Sequence, residues 1–75
     1  MKNVKLKTAI SKIKDDSNLY MKNKDDAEHL YNIENGMVFR KVIENDVITK
    51  FKNMGSIEEF IEQNNLVDKW EVVSN

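Results

Sequence analysis

Hydrophobic residues near the start of the chain recur with the spacing of a helix. Four of them follow the i, i+3, i+4, i+7 pattern and fall on one helical face: Leu6, Ala9, Ile10 and Ile13. The pattern predicts a helix over residues 6–14, and the polar run 15–18 predicts a turn after it. Because the helix is short and has no aromatic residue, we expect its apolar face to pack on a sheet rather than on a membrane.

Residues 19–24 predict a short strand, but two templates compete over the following residues 25–34. As a helix, this segment would have Asp25 as its N-cap, Glu28 three residues later, and Gly36 just past its C-cap. As a strand, it would lead into a two-residue hairpin turn at Asn35 and Gly36. An Asn-Gly pair between apolar runs is typical of a type I′ turn, since both turn residues need positive φ. We therefore predict the strand.

The hairpin turn fixes the pairing of its two strands. It sets Ile33 opposite Val38 and Asn32 opposite Phe39. The second strand of this hairpin, residues 37–43, is rich in branched and aromatic side chains, which favour a sheet.

Residues 44–46 predict another turn, and residues 47–52 predict the returning strand. A two-residue turn at Asn45 and Asp46 would place Ile43 opposite Ile48 and Val42 opposite Thr49. The same register would also place Lys41 opposite Lys50, and such a like-charge pair is unfavourable.

A capping box marks the start of a second helix. Ser56 is the predicted N-cap and Glu59 stands three residues later. Ile57, Phe60 and Ile61 form the predicted buried stripe, and the helix is expected to end within residues 63–65. Residues 70–73 predict a closing strand, in which Trp70 is expected to anchor the core.

These elements predict one α+β domain over residues 1–75. The expected order is α-β-β-β-β-α-β, with two short helices packed on a small antiparallel sheet of three to five strands. A chain of 75 residues has no room for a second core.

Composition removes several classes of protein. The absence of cysteine excludes disulfides, thiolate zinc sites and cysteine nucleophiles. No apolar run approaches the length of a membrane span, and no apolar stretch follows the first lysines as in a secretory signal. The sequence therefore predicts a cytoplasmic protein that does not bind membranes.

Candidate catalytic chemistry is sparse. His29 is the single histidine, and neither a Gly-x-Ser-x-Gly motif nor a glycine-rich phosphate loop is present. The acidic residues around it, Asp25, Asp26 and Glu28, could bind a cation, but the segment lacks the glycine-punctuated pattern of a calcium loop. We interpret this cluster as a polar turn, and we predict a non-enzymatic protein without a cofactor or metal.

Charge is distributed unevenly along the chain. Residues 1–24 contain seven lysines and two aspartates, a balance of +5, whereas residues 25–75 contain five basic and eleven acidic residues, a balance of −6. The two parts could attract each other within or between copies, or the basic part could contact a polyanion. We favour the first interpretation, because the whole chain carries a net charge of −1.

Nucleic-acid binding stays as an alternative hypothesis. Its candidate polyanion contacts are the lysines Lys5, Lys7, Lys12 and Lys14. A stacking platform could also form from Tyr20, Tyr31 and Phe39. An aromatic set at strand spacing is more typical of a core.

The preferred hypothesis is binding of a protein, either an unidentified partner or a second copy of this chain. A domain this small gains little stability from its own core, which favours association. The expected binding face is the side of the sheet opposite the helices, drawing on Tyr20, Leu30, Phe39 and Arg40.

The end of the chain resembles a known set of proteins. Asp68-Lys69-Trp70-Glu71-Val72-Val73 is similar to the last strand of small phage and prophage accessory proteins, which finish in Asp-(x)-Trp-Glu-aliphatic-aliphatic. Some relatives of that set are anti-defence proteins, including sponges that sequester a nucleotide signal between subunits. The resemblance therefore implies a binding role and keeps sequestration of a small anionic ligand by an oligomer as an alternative. Because the early Arg-x-x-Trp stretch of the sponges is missing here, none of their ligand residues is carried over.

Overall fold

The computed structural model describes residues 2–26, 28–64 and 69–74. Two helices and five strands follow one another in this order: α1 (Leu6–Ile13), β1 (Leu19–Asn23), β2 (His29–Glu34), β3 (Met37–Glu44), β4 (Val47–Ser56), α2 (Ile57–Asn64) and β5 (Trp70–Ser74). The predicted α+β class and the predicted order of elements are confirmed.

The five strands form one antiparallel sheet in the order β4-β3-β2-β1-β5. β4 and β5 are thus its two edges. At the β5 edge, the N-terminal segment adds a short bridge, because Val4 and Trp70 exchange two backbone hydrogen bonds of 2.9 Å. No described residue pairs with the outer edge of β4 in the same way.

Helix α1 packs on the sheet through its predicted face. Leu6, Ala9, Ile10 and Ile13 are all buried and join the core that lies between the helices and the sheet. The strands contribute Met21, Ile33, Val38 and Trp70 to this core. Both helices therefore cover the same side of the sheet, called here the helix side, and the other side is called the open side.

Helix α2 begins at the predicted capping box. The backbone N–H of Glu59 donates to Ser56 Oγ at 3.2 Å, and the backbone N–H of Ser56 donates to Glu59 Oε1 at 3.3 Å. Phe60 lies 1% exposed beneath this helix, with its ring 5.1 Å from Tyr31 and 6.0 Å from Trp70. Three aromatic rings thus fix α2 and β5 to the centre of the sheet.

The strand interpretation of the disputed segment is confirmed over His29–Glu34. Asn35 and Gly36 have φ angles of 52° and 75°, as the predicted turn requires. The predicted pairs Ile33 with Val38 and Asn32 with Phe39 are also present. Within the disputed segment 25–34, Ala27 lies outside the described residues.

The predicted register of the next hairpin is only half right. Ile43 lies opposite Ile48 as expected, but Val42 lies opposite Lys50 instead of Thr49. An irregularity between Val42 and Ile43 shifts the register, and the Thr49 hydroxyl donates to the carbonyl of Val42 at 3.3 Å there. The expected pairing of Lys41 with Lys50 is therefore wrong, since Lys41 faces Phe51.

Candidate functional site

The open side of the sheet carries an apolar patch on strands β2, β3 and β4. Side chains alternate between the two sides of each strand and residues paired across two strands share a side, so the pairing registers assign each paired residue to a side. We call the following set on the open side the apolar patch: Leu30, Phe39, Ile43, Ile48 and Phe51.

The most exposed members of the apolar patch, Ile48 and Phe51, belong to the edge strand β4. Among the described residues, the large apolar side chains that stand exposed are Val47, Ile48 and Phe51, at 61%, 47% and 58%, and all three lie on β4. The Phe51 ring stacks on Phe39 with 5.0 Å between centroids and an interplanar angle of 20°. The patch is therefore an ordered aromatic surface that meets the unpaired edge.

A buried cation borders the patch. Lys41 is 7% exposed, and its Nζ lies 5.6 Å from the ring centroid of Tyr20 and 5.8 Å from that of Phe51. Both distances allow a cation–π interaction. Lys41 is held in place by aromatic rings, and no carboxylate of a described residue forms an ion pair with it.

Asn32 lies beside these residues with an unmet hydrogen-bonding capacity. Its side chain is 1% exposed, and its Nδ2 donates to Glu34 Oε1 at 3.4 Å. Its Oδ1 has no partner among the described residues. A buried acceptor without a donor is unfavourable, so Asn32 lowers the stability of the sheet at this position.

The predicted binding face is divided between the two sides of the sheet. Tyr20, Leu30 and Phe39 share the open side, although Tyr20 is only 6% exposed and offers little surface. Arg40 was wrongly placed with them. It is next to Phe39 along β3, and it pairs with Tyr31 on the helix side.

The proposed stacking platform is likewise divided. Tyr31 packs against Phe60 and Trp70 on the helix side, with ring centroids 5.1 Å and 5.7 Å away. Because Tyr20 and Phe39 lie on the other side, the three rings do not form one surface.

The helix side contains a basic pocket where the helices leave the sheet uncovered. Its volume is about 360 Å³. The pocket is lined by Phe51, whose ring points to the open side, and by five residues whose side chains are on the helix side: His29, Arg40, Val42, Lys50 and Lys52. Val42 is 5% exposed. Positively charged groups from β3 and β4 therefore surround the buried side chain of Val42.

The cations of the basic pocket repel one another. Arg40 lies directly opposite Lys52, and Lys50 is two residues away on the same strand. No carboxylate among the described residues forms an ion pair with any of the three. A site with this charge pattern favours negatively charged groups.

His29 is oriented at the pocket wall by a neighbouring carboxylate. Its Nδ1 lies 2.8 Å from Asp26 Oδ2, and its backbone N–H donates to Asp26 Oδ1 at 3.2 Å. Burial raises the pKa of Asp26. The hydrogen bonds from His29 and from the backbone N–H of Glu28, together with the charge of His29, lower this pKa by a larger amount. The net pKa of Asp26 lies below its usual value.

Tyr31 lies next to the pocket and is coupled to Arg40. Burial raises the pKa of the Tyr31 hydroxyl, while the positive charge of Arg40 and a hydrogen bond from it act in the opposite direction. The net pKa of Tyr31 is raised, so this hydroxyl stays protonated at neutral pH.

The acidic cluster weighed as a cation site acts as a turn in the described residues. The backbone N–H of Glu28 donates to Asp26 Oδ1 at 3.0 Å, and the backbone N–H of Asp25 donates to Asn23 Oδ1 at 2.8 Å. No group of three or more potential metal-ligating side chains is found in the described part of the chain.

The candidate polyanion contacts lie around helix α1. Lys5, Lys7, Lys12 and Lys14 are all exposed. They stand away from the basic pocket, because α1 packs chiefly on β1 and β5 whereas the pocket lies on β2, β3 and β4.

Neither α1 nor α2, the helices of the described residues, has the length and the apolar character of a membrane-spanning helix.

Sequence reasoning missed the residues of β4 that shape both sides of this hairpin. The alternation Lys50-Phe51-Lys52 was a usable signal, since it places one aromatic ring between two cations on opposite sides of a strand. The register shift concealed which side each residue occupies.

Comparison of the chain with protein-family models, with curated proteins and with solved structures finds no match.

Proposed function

We propose that this chain is a non-enzymatic binding protein that recognises another protein through the apolar patch and the adjoining edge of β4. The observation that carries this proposal is the position of the exposed apolar side chains. Val47, Ile48 and Phe51 lie on the strand whose outer edge has no neighbour among the described residues. Aromatic surface beside unpaired backbone is typical of protein-binding sites.

Pairing between the β4 strands of two copies is a weaker hypothesis. If two β4 strands paired antiparallel with their Phe51 side chains opposite each other, Lys50 of each copy would lie opposite Lys52 of the other. Like charges directly opposite on neighbouring strands are unfavourable. The charge pattern of this edge therefore supports a different protein as the partner.

The biological setting belongs to the same proposal. The similarity of the last strand to that of phage and prophage accessory proteins supports an accessory role in a phage or a bacterium. On this hypothesis, the protein acts in the cytoplasm by occupying a surface of its partner.

The proposal is tested by capture from a bacterial lysate with a matched pair of variants. Phe51→Ser removes the most prominent ring of the patch, whereas Phe60 and the rest of the core are left intact. Glu62→Ser changes an exposed residue of α2 and serves as the control. Thermal unfolding of each variant first establishes that it folds.

We expect the wild type and Glu62→Ser to retain the same protein, and Phe51→Ser to lose at least about 1.4 kcal/mol of binding free energy, which is about a tenfold loss of affinity. Equal retention by all three proteins would contradict the proposal.

A further inference from the structure

The two sides of strand β4 carry opposite chemistry along one unpaired edge. Lys50 and Lys52 point to the helix side, and Phe51 points to the open side between them. An added strand that pairs with this edge would place its own side chains alternately on the same two sides. The edge therefore defines the kind of sequence that fits it.

On the helix side, the fitting residues are acidic. Arg40 and Lys52 face each other across β3 and β4, and no described carboxylate forms an ion pair with either of them or with Lys50. A carboxylate that entered the basic pocket would replace repulsion by attraction to three cations. The volume of the basic pocket, about 360 Å³, is sufficient for carboxylate-bearing side chains.

On the open side, the fitting residues are apolar. Phe51 and Ile48 are about half exposed, and both continue into the apolar patch through Phe39 and Ile43. Apolar side chains placed against them would remove this surface from water, at about 25 cal/mol for each Å² buried.

We infer that the partner contributes an extended segment that pairs with the outer edge of β4 and alternates acidic residues, facing Arg40, Lys50 and Lys52, with apolar residues, facing Phe51. This inference rests on the proposed function and specifies the class of its partner.

A second copy of this chain does not supply such a segment from its described strands. The other edge strand, β5, has one acidic residue, Glu71, and Val4 already bridges to Trp70 on its outer edge. β4 itself would bring lysines against lysines. The occupant is therefore a segment of a different protein.

A synthetic peptide tests the inference directly. The probe has about eight residues, the length of a typical strand, and alternates glutamate with valine. Its isomer has the same composition but groups the glutamates in one block, and a third peptide alternates lysine with valine. Binding to the full chain is measured by isothermal titration calorimetry at low and at physiological salt.

Backbone methylation identifies the binding geometry. In an added strand, the N–H groups of alternate residues point to β4, and those of the remaining residues point away. Two versions of the probe carry N-methyl groups either on every valine or on every glutamate. Strand addition predicts that one version loses binding and the other keeps it.

Reversing the charges of Lys50 and Lys52 tests whether the acidic residues of the peptide face the helix side of β4. The double variant Lys50→Glu and Lys52→Glu is expected to lose the glutamate–valine peptide and to bind the lysine–valine peptide instead. The control double variant, Lys7→Glu and Lys12→Glu, has the same change in charge on the exposed side of α1 and is expected to bind like the wild type.

The results separate this inference from the proposed function. Equal binding of the block isomer, equal loss with both methylated versions, or no binding of the alternating probe would overturn the inference. In that case, lysate capture distinguishes the two proposals. If Phe51→Ser abolished capture while the Lys50 and Lys52 double variant captured normally, the result would support protein binding through the apolar patch and exclude strand addition.

Discussion

Arg40 and Lys52 lie directly opposite each other on neighbouring strands, with both side chains on the helix side of the sheet. The arrangement follows from the register shift near Thr49, which removes one like-charge pair, Lys41 with Lys50, and creates another. In like-charge pairs alone, this exchange brings no gain in stability. It produces a concentration of positive charge at an edge strand, where a partner can neutralise it.

Reversing one charge of this pair is expected to stabilise the free protein. Lys52→Glu would turn the repulsion of Arg40 into attraction and raise the free energy of unfolding by about 0.2–1 kcal/mol. Urea unfolding at low salt measures the change, and the gain should shrink as salt screens the charges. A loss of stability at low salt would show that the two cations do not repel each other.

The second hairpin turn stores strain that a glycine would release. Asn45 and Asp46 have φ angles of 52° and 64°, which side chains other than those of Asn and Asp adopt at a larger cost. Asp46→Gly is expected to raise the free energy of unfolding by up to about 1 kcal/mol, because glycine accepts positive φ without steric cost.

The first hairpin turn allows the reverse substitution, in which a glycine is replaced by a residue with a side chain. Gly36 has a φ of 75°, and a Cβ there would meet no heavy atom within 4 Å. Gly36→Ala is therefore expected to lower the free energy of unfolding by about 1–2 kcal/mol through backbone conformation alone. Thermal unfolding of both variants measures the two changes, and changes of the same sign would show that positive φ does not determine the stability of these turns.

Acid should remove the contribution of Asp26 to the free energy of unfolding. The pKa of this carboxyl is lowered in the folded state, so its contribution to stability is present above its unfolded-state pKa and is lost as the pH falls through its folded-state pKa. Asp26→Asn is expected to be less stable than the wild type near neutral pH, with the difference shrinking towards about pH 2. Urea unfolding across the pH range tests this, and a difference that grows on acidification would be inconsistent with it.

Two phenylalanines on opposite sides of the sheet should respond differently to truncation. Phe60→Ala removes a ring packed against Tyr31 and Trp70 and is expected to cost about 3–5 kcal/mol. Phe51→Ala removes an exposed ring stacked on Phe39 and should cost no more than about 1.5 kcal/mol. Chemical unfolding compares them, and similar losses would mean that Phe51 is part of the folding core.

The sequence predicted the elements whose signals are local. The apolar spacing of α1, the capping box at Ser56 and Glu59, and the Asn-Gly turn each depend on residues within one or two turns of backbone. These signals need no knowledge of the rest of the fold, and the structure confirms each of them.

The site was harder to predict because it depends on register. One residue of shift moves every side chain of a strand to the other side of the sheet. The shift near Thr49 decided where Lys50 and Phe51 lie, and the unfavourable pairing of Lys41 with Lys50 was a sequence signal against the predicted register. Arg40 was misplaced for a different reason, since its neighbour Phe39 already showed by alternation that the two could not share a side.

Amide hydrogen exchange of the captured complex tests the proposed binding surface most directly. Binding through the edge of β4 predicts that the partner slows exchange along residues 47–53, while the exposed side of α1 around Lys7 and Lys12 exchanges as in the free protein. Protection of α1 with no change along β4 would contradict it.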